Sequence, residues 1–246
     1  MAESRKKAPN EYSNVHRYVL RRMLSRQVIT EEQLIRIVQT AHDHYSSRVR
    51  TIRLSDAMHV LETIKQKIDN HGLTIVQRLD ERDGAQKFLL ISKVLTDEQR
   101  KFEEEFRGAE TRLFYEIVDM IMQSSERSVD VVWLRGMECS SQLSNAAYTV
   151  EQWFRQEWLT CCEDRSLISL GVRALAELES FLIDKYRLPT CALCHFILFS
   201  TLRKRCSVCR KVFHNQCFNS YANRVAESAG STCPFSGCNA PLSDIQ

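Results

Sequence analysis

Cys191-Ala192-Leu193-Cys194, Cys206-Ser207-Val208-Cys209, His214-Asn215-Gln216-Cys217 and Cys233-Pro234-Phe235-Ser236-Gly237-Cys238 place eight metal-ligand side chains, in four pairs, within residues 191–238. Three pairs have two residues between ligands, the separation at which both side chains of a tight knuckle reach one Zn²⁺. The fourth has four, which makes Cys238 the loosest member of the set. Four pairs suffice for two tetrahedral sites. In the cross-braced arrangement usual for such a string, the first and third pairs share one ion and the second and fourth share the other. Zinc 1 then takes Cys191, Cys194, His214 and Cys217, and zinc 2 takes Cys206, Cys209, Cys233 and Cys238. Both sets are complete without water, so the two ions are expected to be structural and not catalytic.

A disulfide framework is the rival reading of these cysteines. Met1–Asn10 is polar and basic with no apolar signal core, and no apolar run reaches the roughly 18 residues that span a bilayer. The chain is therefore expected inside the cell with no membrane partner, and there ten cysteines with a histidine in register read as metal binding. Cys139, Cys161 and Cys162 lack partner spacing and are expected as small buried or half-buried thiols. His195 directly follows a ligand and is expected as an exposed or hydrogen-bonded neutral histidine, not a ligand.

Working outward, the 246 residues allow two or three domains, and a 43% hydrophobic composition with 7 Gly and 4 Pro describes a globular, largely helical chain. The formal charge of +3 is brought near zero once seven thiolates and two Zn²⁺ are included. Global charge thus gives no argument for nucleic acid.

Upstream, Val15, Val19 and Met23 mark one helix. Thr30-Glu31-Glu32-Gln33 is a capping box opening a second, with Leu34, Ile37, Val38 and Ala41 inward. A third begins near Ser55, carries Met58, Leu61, Ile64 and Ile68, and stops at Gly72. Two β-rich runs, 73–79 and 86–94, flank Asp80-Glu81-Arg82-Asp83-Gly84, a hairpin signal. Three helices followed by a two-stranded wing is the winged-helix order. It recurs: a capping box at Thr96-Asp97-Glu98-Gln99 opens a charged connecting helix, and Leu113, Ile117, Val118 and Ile121 line the next. Residues 129–135 predict a short helix, and 143–158 predict another with Ala147, Val150, Phe154 and Trp158 inward. Residues 159–170, turning at Glu163-Asp164, predict a second wing, and 171–186 a final helix. The expected fold is mainly α with small β wings: winged-helix domains over 1–94 and 95–187, then a cross-brace two-zinc module over 188–246.

Winged helices dock on DNA or on proteins. Lys65, Gln66 and Lys67 on the third helix, Arg48, Arg50 and Arg53 before it, and Arg78, Arg82 and Lys87 on the wing suit phosphate contact, and equally suit a solvated surface. The second domain offers Gln142, Asn145, Gln152, Arg155 and Gln156, interrupted by Glu151 and Glu157. Protein docking is the stronger expectation.

Two winged helices feeding into Cys191-Ala192-Leu193-Cys194-His195, Cys206-Ser207-Val208-Cys209, Phe213-His214-Asn215-Gln216-Cys217 and Cys233-Pro234 resemble the non-SMC element one family. These are the RING-like subunits of the structural-maintenance-of-chromosomes five/six complex. The resemblance runs from Asn14-Val15-His16-Arg17 to Cys238, and the four-residue gap in the last pair departs from the usual two. It implies a MAGE-like winged-helix partner and a kleisin subunit. It further implies a nuclear, chromosome-associated role in DNA repair and recombination, contact with double-stranded DNA through the subcomplex, and partner-dependent ubiquitin-ligase activity.

A RING ligase holds a ubiquitin-charged conjugating enzyme on an apolar patch made by an aliphatic residue in the first knuckle and a proline in the last. Leu193 and Pro234 occupy those positions, and Asn239 follows the last cysteine where a polar bridge to ubiquitin is often found. Leu193 and Pro234 serve equally as packing for the knuckles, which leaves open a non-catalytic module that braces the assembly. A PHD-type histone reader fits poorly. Ser231 stands where its aromatic wall needs Trp, and Arg203, Lys204, Arg205, Arg210, Lys211 and Arg224 outnumber Glu227 and Asp244 across 188–246. No phosphate loop, nucleophile motif or open metal site points to another enzyme.

Overall fold

Helix α1 (Asn14–Arg26) buries Val15, Val19 and Met23 along one face. It ends where Gln27 takes a positive φ of 62° and returns its N–H to the Met23 carbonyl. The turn directs the chain into a three-residue strand, β1 (Val28–Thr30), then α2 (Glu31–Tyr45) and α3 (Leu54–Ile68). The Thr30 capping box forms as the sequence predicts, with Gln33 N–H donating to Thr30 Oγ1 at 3.3 Å and Thr30 N–H to Gln33 Oε1 at 3.2 Å. A 3₁₀ turn at Asp69–His71 reaches Gly72 in the left-handed region, and the chain enters β2 (Leu73–Leu79) and β3 (Gln86–Ser92).

The computed structural model describes residues 12–46, 50–93, 108–140 (side chains to 136), 145–161, 166–225 and 232–246. The capping box at 96–99 with its connecting helix, Arg48, Val94, Cys162, Gln142, Glu163-Asp164, Glu227, Ser231 and the Cys139 side chain lie outside the described residues. The chain forms two units, Met1–Leu79 with Ala85–Arg100, and Asp80–Gly84 with Lys101–Gln246. The protein is mainly helical with small antiparallel sheets.

In the first unit the sheet order is β1-β3-β2, with Ile29 opposite Phe88 and Ile75 opposite Leu90. The core beneath it gathers Val19, Met23, Leu34, Ile64 and Phe88. Ile37, expected inward, is only partly buried at its margin, as is Met58.

The second unit repeats the order: α4 (Gly108–Gln123), β4 (Val129–Asp130), α5 (Val131–Ser140), α6 (Ala146–Arg155), β5 (Leu159–Cys161) and β6 (Leu167–Leu170). Its sheet order is β4-β6-β5, the same as in the first unit. Helices α7 (Val172–Glu177) and α8 (Glu179–Tyr186) follow. The cysteine-rich end contributes β7 (Arg203–Arg205), β8 (Val212–His214) and α9 (Asn215–Val225). Leu188, Ile197 and Phe199, the last two from beyond the first knuckle, join the helical core of Phe114, Ile117, Ile121 and Leu182. A separate cluster around Cys191, Leu198, Cys206, Phe213 and Cys238 forms the centre of the cysteine-rich end.

Five expectations are corrected. Strands β1 and β4 begin each sheet where none was predicted. They are too short for a period-2 signal and exist because they pair with β3 and β6. On α6 the buried alanine is Ala146, with Thr149 and Val150, while Ala147 is exposed. The helix stops at Arg155 because Glu157 adopts a φ of 58°, so Trp158 reaches the core from outside it. The predicted final helix is two, broken at Leu178, which leaves helical geometry at ψ 11° with no Gly or Pro to announce it. Cys161 is exposed, because it terminates β5, an edge strand, beyond the reach of the core.

Candidate metal centre

The first two cysteine pairs fold into the same knuckle. In each, the residue after the second cysteine takes a positive φ, 64° at His195 and 60° at Arg210. Each of these returns its N–H to the carbonyl of the first cysteine, at 2.8 Å to Cys191 and 3.0 Å to Cys206. Each first cysteine then donates its own N–H five residues on, Cys191 to Phe196 and Cys206 to Lys211. The turn brings both thiols of a pair to one side. His195 is thereby accounted for: it is the exposed left-handed corner of the first knuckle, outside the ligand cluster.

Hairpin β7–β8 and the start of α9 carry the third pair. His214 ends β8 and Cys217 lies in the first turn of α9. The wide last pair closes through Gly237 at φ 87° and a Cys238 N–H bond to the Phe235 carbonyl. Cys233 N–H donates to Ala240, and the last residues pair with Arg205 and Ser207. Lys211 Nζ lies 4.6 Å from the Phe235 ring centroid, joining the second knuckle to the wide loop.

These elements bring the eight side chains into two groups, Cys191 with Cys194, His214 and Cys217, and Cys206 with Cys209, Cys233 and Cys238. Within each group the ligand atoms lie within 4.8 Å of one another. The pairing is the interleaved one, first with third and second with fourth. Cys206 and Cys238 sulfurs stand 3.8 Å apart, as do Cys209 and Cys233. Tetrahedral Zn²⁺ with about 2.3 Å bonds to sulfur requires sulfur–sulfur edges of about 3.8 Å, whereas a disulfide requires about 2.05 Å. At the other group, His214 Nδ1 is 3.3 Å from Cys194 Sγ and 3.7 Å from Cys217 Sγ, bracketing the roughly 3.5 Å edge of a mixed nitrogen–sulfur tetrahedron. The donor sets therefore fit two zinc ions, including the four-residue gap before Cys238.

The electrostatics of the two sets point the same way. Burial disfavours a charged His214 ring, yet Cys191, Cys194 and Glu81 together raise its pKa to about 12. Interactions with Cys194 and Cys217 hold the Cys191 thiol far below its ordinary range. Cys217 is pushed up by Cys191 and Cys194. In the second group the Cys209 N–H lowers Cys206 to about 7, while burial raises Cys233 to about 12. Thiolate ligands bind deprotonated, so a divalent cation held here would displace the thiol protons.

Leu193 is half-buried against the module core, Pro234 is half-buried in the last loop, and Asn239 is exposed. Of the wing cations, Lys87 is buried. Arg82 is held by Asp80, by the Thr160 hydroxyl and by the Cys161 carbonyl. Lys65, Gln66 and Lys67 are exposed. Among the described residues no helix is long and apolar enough to cross a membrane.

One residue of the site has no signal in the motif. Glu81, 118 residues before Phe199, brings its carboxylate to the far side of the His214 ring. Its sequence context announces only a hairpin turn.

No family model and no curated protein matches the chain. Among solved structures, it superimposes on a chain of an Nse1–Nse3–Nse4 complex with a TM-score of 0.68 at 17% sequence identity. The match covers 94% of this chain and 96% of that one. The likeness is one of fold over nearly the full length of both. At that level the resemblance read from the cysteine spacing holds.

Proposed function

We propose that this chain is the RING-like subunit of a structural-maintenance-of-chromosomes five/six complex, working beside a MAGE-like partner and a kleisin in chromosome maintenance and DNA repair. Within that complex it acts as a partner-dependent ubiquitin ligase. The observation that carries the reading is the interleaving of two four-ligand sets in a chain whose whole length shares the fold found in an Nse1–Nse3–Nse4 complex. The eight side chains are the ligands of two structural zincs, and the ions' contribution is to hold the knuckles in place. The repeated helix–strand–helix–helix–strand–strand order supports a tandem winged-helix reading over about 1–94 and 95–187.

A RING module performs no covalent chemistry. It presents apolar surface to a ubiquitin-charged conjugating enzyme, and Leu193 and Pro234, both half-exposed beside the ligand sets, supply it here, with Asn239 as the polar neighbour. Protein docking is favoured over DNA reading by the helical repeats, since Arg82 and Lys87 on the first wing are engaged internally.

The test is ubiquitin-chain formation reconstituted with the MAGE-like partner and a panel of conjugating enzymes. Leu193→Ala should reduce transfer by about tenfold or more, as loss of an interface anchor does, with zinc content and partner binding unchanged. A Leu193→Ala chain that loses its partner would remove that residue from the docking patch. No transfer by the intact wild-type complex would favour the bracing module, a reading supported by Ile197 and Phe199 joining the helical core.

A further inference from the structure

We infer that Glu81 is the outer-shell carboxylate of the first zinc site, positioning His214 so that Nδ1 is presented to the metal. This rests on the two-zinc reading above. A histidine that ligates through one nitrogen must hand its other N–H to an acceptor, and that acceptor sets the tautomer and the ring's orientation. With Nδ1 facing the Cys194 and Cys217 sulfurs, His214 Nε2 faces two acceptors, the Ile197 carbonyl at 3.0 Å and Glu81 Oε1 at 3.4 Å. The His214 and Glu81 side chains are 6% and 9% exposed, so water does not compete for this bond.

Glu81 also acts through the nearer acceptor. Its Oε1 accepts the Phe199 N–H at 3.0 Å and its Oε2 the Ser200 N–H at 2.8 Å. The carboxylate thereby fixes the segment that carries the Ile197 carbonyl. Gln216, in the turn between His214 and Cys217, donates its side-chain amide to the Glu81 carbonyl at 3.1 Å. The loop and the ligand turn thus grip each other from both sides, and retention of the first zinc depends on a residue far outside the cysteine string.

The experiment uses the full chain loaded with two zincs, comparing wild type with Glu81→Ala and Glu81→Gln. Zinc transfer to a coloured chelator is followed over time, and long-range ¹⁵N–¹H spectra of the histidine rings report the His214 tautomer. Removing an outer-shell partner typically weakens metal affinity about 10–100-fold. Glu81→Ala should therefore release one ion of the two faster by that order, leave the other at its wild-type rate, and broaden or shift the His214 signals. Glu81→Gln, which keeps an oxygen but not the charge, should fall between. Release of both ions at wild-type rates with an unchanged His214 spectrum would overturn the inference. Equal acceleration of both ions would overturn it too, because the loop would then be a general brace. If Glu81→Ala fails to fold, the Glu81→Gln comparison decides by the same criteria. A wild-type chain that binds no zinc would instead overturn the two-zinc reading itself.

Discussion

Gly171 shows how a single residue determines a junction. A Cβ built there would meet the Glu157 carbonyl oxygen at 2.1 Å and its carbon at 2.6 Å. The chain leaving β6 passes directly over the end of α6, with Gly171 N–H donating to Trp158 and Arg173 N–H to Glu157. The obstacle is backbone, which cannot swing aside as a flexible side chain would. Gly171→Ala is accordingly expected to destabilise the second unit by roughly 1–3 kcal/mol, the range for overpacking, measured as a lowered urea midpoint at constant slope. The gathering of eight Cys/His side chains into two sets of four was legible from spacing, because a knuckle of two intervening residues has few ways to present both side chains. Glu81 was not, because nothing local relates a hairpin turn to a histidine more than a hundred residues later.

Among the elements, α4 and α8 are joined by Asp119, whose Oδ1 accepts from Lys185 Nζ at 2.6 Å and from the Tyr186 hydroxyl. Burial alone would raise the Asp119 pKa, but these bonds and the Lys185 charge hold it below its ordinary value of 3.8. A carboxyl with a depressed folded-state pKa stabilises the fold above its unfolded value, and the contribution disappears as pH falls through the folded one. Both partners are well exposed, so screening limits the pair to about 0.5–1 kcal/mol. Asp119→Asn should therefore lower stability by that amount near pH 7, and the gap to wild type should close as pH falls below the ordinary carboxyl value of 3.8 and through the depressed folded one. Urea midpoints across the pH range check it. The long helices and the first hairpin were legible because their apolar periods run for several turns. Strands β1 and β4 were not, since two or three residues carry no period, and the break at Leu178 has no breaker residue.

The chain divides into two units, and both Cys/His sets lie in the second. The first has its own apolar core of Val19, Leu34, Ile64 and Phe88. In the second, Ile197 and Phe199 of the cysteine-rich end are part of the helical core, so on the two-zinc reading proposed above, loss of zinc is expected to propagate beyond the knuckles. Structural zinc contributes about 10–16 kcal/mol of apparent binding energy in small modules. Chelation, or Cys206→Ser, is expected to unfold the cysteine-rich end and lower the melting temperature of the second unit, with the first unit's transition retained. Calorimetry with and without chelator reads both. The two Cys/His sets and the helical character of the chain followed from the sequence, since short-range spacing and helical periodicity are local properties written into neighbouring residues. The short sheet-closing strands, the junction at Gly171 and the carboxylate behind His214 were decided only by the tertiary structure. Each depends on groups distant along the chain meeting in a buried place, where an unpaired N–H or a misplaced Cβ would be costly.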